Sequence, residues 1–135
     1  YNKITMNNPV SWFELPALDL DRAKKFYETV FDFVMTPETN AGYEMLSFPM
    51  NIGAMGASGG LMKGYGYKPS LEGTTVYFST RIIDEIIEKI EANGGKIHVP
   101  KKDIGYGHIS IFEDVEGNRV GLYQIKEEHR VVRKM

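Results

Sequence analysis

"WFELPALDLDRA" (residues 12–23) and "TVYFSTRIIDEI" (residues 75–86) decide the fold. Each opens on an alternating apolar run, the mark of a strand with one buried face, and turns within a few residues into a helical pattern. In the first, Asp19 is placed to cap the helix, because its carboxylate can accept from the free amides of the first turn. Leu20, Ala23, Phe26, Tyr27 and Val30 follow at helical spacing. Asp32 falls where that helix needs a left-handed residue to end, a conformation Asp tolerates less well than Gly or Asn. In the second, Ile83, Ile86, Ile87 and Ile90 share one face, and Gly94-Gly95 stops the helix. Three short apolar runs follow each helix. They are "FVMTPE", "YEMLSFP" and "GGLMK" in the first half, and "KIHVP", "GHISIFE" and "RVGLYQI" in the second. Asn40-Ala41-Gly42 turns the chain between the first two.

The order βαβββ therefore occurs twice, over residues 9–63 and 73–125, with a charged tail at 126–135. Internal repetition decides the architecture before any other signal. One βαβββ unit has too little sheet to close a core. The expected fold is α+β: paired βαβββ modules forming a cupped eight-stranded sheet or half-barrel, with the helices outside. "GYGYKPSLEG" (residues 64–73) reads as the linker, and the Gly-rich "NIGAMGASGG" (residues 51–60) as a connection, since it matches neither a phosphate loop nor a dinucleotide fingerprint.

Bulk properties narrow the function. At 135 residues, 42% apolar and 25% charged, the chain is an ordinary globular domain able to bury a core. A net charge of −2 gives no reason to expect nucleic acid or an anionic membrane. No apolar run is long enough to span a bilayer. The absence of cysteine excludes disulfides, thiolate nucleophiles and Cys-based metal sites. "YNKITMNNPV" carries no leader-like apolar stretch, Met6 is a candidate start, and a cytoplasmic location is the default.

Alternation along the strands divides the side chains into two faces. Phe13, Leu15 and Ala17 are assigned to the helix side, and Trp12, Glu14 and Pro16 to the hollow. Val76, Phe78 and Thr80 face the helix, and Thr75, Tyr77 and Ser79 the hollow. On the last two strands Ile109, Ile111, Val120 and Leu122 are assigned to the core. That sends His108, Ser110 and Phe112, and likewise Arg119, Gly121 and Tyr123, into the hollow. The result is a concave polar-aromatic wall, the usual form of a small-molecule site. Glu14 has two readings. Partly desolvated, it is a candidate general base; paired with Arg119 or Tyr77, it fixes the wall. His98 is placed on an outer strand and His129 on the tail.

With "DRAKKFYETVF", "GGLMK", "GGKIHVPK" and "DVEGNRVGLYQ" in this order, the chain resembles the vicinal oxygen chelate superfamily, the group of glyoxalase I, bleomycin- and fosfomycin-resistance proteins and extradiol dioxygenases. The resemblance covers about residues 9–125 and is closest to the glyoxalase-like branch. It implies a homodimer. It also implies a metal site of His, Glu or Gln side chains, one from each of four strands. Carried over position by position, those ligands fall on Trp12, Gly60, Thr75 and Gly121. None is an ordinary donor for a divalent metal.

The expected function is that of a glyoxalase/bleomycin-resistance-like domain lacking the usual metal ligands: a metal-free small-molecule binder with no cofactor. The wall residues Trp12, Glu14, Thr75, Tyr77, Ser79, His108, Ser110, Phe112, Arg119 and Tyr123 would contact the ligand. The alternative is a superfamily enzyme, a lyase, isomerase or dioxygenase, with a metal-free site using Glu14 or a rearranged metal site using Glu14 and His108.

Overall fold

The structure is a computed structural model and describes residues 8–40 and 43–130. Met6, two residues of the expected turn at 40–42 and the end of the tail lie outside the described residues. The first half runs β1 (Trp12–Pro16), α1 (Leu20–Phe31), β2 (Thr36–Asn40), β3 (Tyr43–Ser47) and β4 (Ser58–Lys63). The second runs β5 (Val76–Ser79), α2 (Ile83–Ala92), β6 (Lys96–Asp103), β7 (Gly107–Glu113) and β8 (Arg119–Ile125). Each half is a four-stranded mixed sheet, ordered β1-β4-β3-β2 and β5-β8-β7-β6. In each the first strand pairs parallel with the last, across the helix, and the other pairs are antiparallel. The sheets are open rather than closed into a barrel, and among the described residues no strand of one pairs with a strand of the other.

The helices form where the capping and apolar spacing predict. The Asp19 carboxylate accepts from the Arg22 amide at 3.0 Å. Asp32 ends α1 in the left-handed conformation at φ 57° and ψ 53°, its amide donating to the Glu28 carbonyl. Ala23, Phe26, Tyr27 and Val30 of α1 and Ile83, Ile86 and Ile90 of α2 are buried. They share one core with Leu15, Leu46 and Leu61 from the first sheet and Phe112, Val120 and Leu122 from the second. Tyr27 stands against Phe48 and Phe78, and Phe13 against Phe78, so α1 and the β1–β5 seam join the two halves. Among the described residues no helix is long and apolar enough to cross a membrane.

The β7–β8 turn supplies the other joint. Asp114 accepts from the Tyr27 hydroxyl at 2.6 Å, from the Glu116 and Asn118 amides, and from Asn118 Nδ2. Asn118 Nδ2 also donates to the Pro16 carbonyl at 2.7 Å. Glu116 accepts from the amides of Leu18 and Asp19 and from Arg22 Nε at 2.6 Å. Asp114, Glu116 and Asn118 are buried. The turn between β7 and β8 is a polar latch gripping the β1–α1 corner of the other half.

Candidate functional site

Residues directly opposite one another in a sheet share a face. Tyr77 pairs with Gly121, which pairs with Ile111; Phe78 pairs with Leu122, which pairs with Ser110. Phe78 is on the core side, 5.9 Å from the Tyr27 ring. Ser110 is therefore on the core side as well, and Ile109 and Ile111 are on the open face. This reverses the assignment of β7. Phe112 is fully buried and its ring lies against Phe26 and Phe31. Ser110 is buried with its hydroxyl donating to the Val99 carbonyl at 2.7 Å. His108 shares the side of Gln124, whose side-chain oxygen accepts from the Ile83 amide at the start of α2. Its ring stands 3.8 Å from Asp103. None of these three faces the hollow, and a metal site combining His108 with Glu14 has no geometric basis. His98 lies on β6, an edge strand, against Glu113 at 2.9 Å.

The ladders place several of the other residues. Glu14 is opposite Gly60 as Tyr77 is opposite Gly121. Ser79 is opposite Tyr123, which shares the open face with Ile109. Three cavities receive these residues. Glu14 and Arg119 meet in one of about 310 Å³. Tyr77 and Ser79 line a second, of about 280 Å³, with Phe13, Phe33 and Phe48. Ser79 and Tyr123 line a third with Arg81.

Glu14 is held, though by neither expected partner. One carboxylate oxygen accepts from the Tyr67 hydroxyl at 2.6 Å and the other from the Trp12 indole N–H at 3.1 Å. The bond to Glu14 pushes the Tyr67 hydroxyl up to about 12, because losing that proton would place two anions together. Tyr67 and its neighbour Lys68 belong to the linker, which folds back over the first sheet. Sequence reasoning missed both, and an aromatic and a cation inside a run of turn residues are the signal that was there to find.

Gly121 has a specific use. A β-carbon there would stand 2.4 Å from a Tyr77 ring carbon, so the Tyr77 ring occupies the space of the missing side chain. At Gly60 a β-carbon would meet the Met45 side chain at 3.1 Å. The four positions where the resemblance puts metal ligands thus hold an indole N–H donor, two glycines covered by neighbours, and a Thr hydroxyl. These residues do not fit a divalent metal. Among the described residues no group of three or more His, Asp or Glu is placed to hold one.

This chain belongs to the Glyoxalase/Bleomycin resistance protein/Dioxygenase superfamily, whose sequence model matches residues 10–122. A curated relative, "Putative glyoxylase CFP32" of Mycobacterium bovis, is 30% identical over 84% of this chain. The chain spans only 44% of that relative's length. Among solved structures, a glyoxylase/bleomycin resistance protein/dioxygenase domain from Frankia sp. EAN1pec superposes with a TM-score of 0.69 at 18% identity, covering 90% of this chain and all of that one. TnmS3, an antibiotic binding protein from Streptomyces sp. CB03234, superposes at 0.66 with 22% identity, covering 88% of this chain and 97% of that one.

Proposed function

We propose that this chain is a metal-independent small-molecule-binding member of its superfamily. The observation that carries the reading is the donor set at Trp12, Gly60, Thr75 and Gly121. One weak hydroxyl donor does not hold a divalent ion against water, and an exposed aromatic ring stands where the fourth ligand would project. What the open faces offer instead is ring surface from Trp12, Tyr77 and Tyr123. Glu14, with both oxygens engaged by donors, suits a positioned wall better than a general base. A structural neighbour of this fold, TnmS3, is an antibiotic binding protein, which supports the binding reading. Exposed apolar residues, Ile52 and Met55 among them, favour a homodimer, checked by light scattering at micromolar concentration.

The test joins elemental analysis to binding. Flat aromatic ligands should quench or shift the fluorescence of Trp12, the only tryptophan in the chain, equally before and after chelator treatment. Trp12→Ala, read by calorimetry, should weaken that binding by about 1–3 kcal/mol if the indole is a stacking anchor. A stoichiometric transition metal whose removal abolishes binding would overturn the reading.

A further inference from the structure

We infer that the ligand carries an anionic group, bound in the seam where the linker crosses between the two sheets; the inference rests on the binding reading above. The seam cavity of about 310 Å³ has Glu14 on one side, Lys68 and Ser70 of the linker above, and Arg119 at the start of β8. The linker is seated there by main-chain contact, the Arg119 amide donating to the Ser70 carbonyl at 3.4 Å. Lys68 and Arg119 are therefore brought to one cavity by the fold, while their side chains stay exposed.

The charges in this cavity do not balance. Among the described residues neither Lys68 nor Arg119 has a carboxylate within 4 Å. Glu14 is the single acid among the described residues lining the cavity, and its oxygens are already engaged by Trp12 and Tyr67. Two cations against one anion leave one positive charge uncompensated, and an anionic group on the ligand offsets it. A cleft with low-dielectric walls concentrates such a field. The Ser70 hydroxyl accepts from the Glu72 amide and so keeps its proton to donate. Leu15, Pro16 and Val76 offer apolar contact to the rest of the molecule. The class indicated is a small organic acid, a carboxylate or phosphate on an apolar body.

Titrating the purified full chain with 1-naphthoate and its neutral isostere 1-naphthamide, read through Trp12 fluorescence, tests this. The acid should bind about tenfold tighter than the amide, and its advantage should shrink as salt rises. Lys68→Gln/Arg119→Gln should remove that advantage, so that acid and amide bind alike. Both side chains are exposed, so the variant should keep the wild-type melting curve, which circular dichroism checks. Naphthyl phosphate in a third arm separates carboxylate from phosphate preference. Equal binding of acid and amide, unmoved by the double variant, would overturn the inference and leave the binding reading standing. No binding of any probe would overturn both.

Discussion

Tyr77 and Gly121 are directly opposite across a parallel pair, and the ring of one fills the place of the other's absent side chain. An aromatic covering a cross-strand glycine is a known way to protect a sheet face where packing is thin. The arrangement makes the two residues energetically one unit. Gly121→Ala forces the Tyr77 ring outward and should destabilise the fold by about 1–2 kcal/mol in denaturant unfolding. In a Tyr77→Ala background the same change should cost almost nothing, because the colliding ring is gone. A double-mutant cycle with no coupling would show that the ring does not cover the glycine in solution.

The elements show where sequence stops being sufficient. Both helices were legible because each has a single buried stripe and a definite end. The end of α1 is also improvable. Asp32 sits at a positive φ that L side chains adopt at a cost, so Asp32→Gly should raise stability by about 0.5–1 kcal/mol, seen as a higher melting temperature. Strand β7 was misread for a physical reason. It lies between β6 and β8 and is buried on both faces, with Ile111 on the open side and Phe112 in the core. Period-two alternation tells the two faces apart only when one is wet. With both dry, assigning Ile109 and Ile111 to the core sends Ser110 to the hollow, whereas its hydroxyl is buried and satisfied by the Val99 carbonyl. In β1, β5 and β8 one face stays partly open, and there alternation and the ladder register place Glu14, Tyr77, Gly121 and Tyr123 alike. The partners of Glu14 were illegible for a different reason: Tyr67 is 53 residues away, on a linker whose path no local pattern encodes.

At the scale of the whole molecule, the Asp114–Glu116–Asn118 turn ties one half to the other, and its two carboxylates respond to pH in opposite senses. Burial pushes the Asp114 carboxyl up, and the hydrogen bonds from Tyr27, Asn118 and Glu116 only partly offset this. Burial acts on Glu116 in the same direction. There the Arg22 guanidinium and the Asp19 and Leu18 amides outweigh it and hold the carboxyl below its ordinary range. A carboxyl depressed in the folded state stabilises the fold fully above its unfolded value, near pH 4.3, and loses that contribution as pH falls through the folded value below it. A carboxyl raised in the folded state does the reverse: its contribution is present below the unfolded value and fades as pH rises through the folded one. Glu116→Gln keeps the side chain's shape and removes the charge, and should cost about 2 kcal/mol at neutral pH through the weakened bond to Arg22 and the two amides. Urea unfolding of both proteins from pH 7 to pH 2.5 should show that gap constant down to about pH 5 and closing below pH 4. Asp114→Asn should behave oppositely, its penalty relative to wild type growing as pH falls and wild-type Asp114 gains its proton. A Glu116→Gln gap that persists unchanged at pH 2.5 would mean that shape, and not the charge, makes Glu116 the clasp between the two halves.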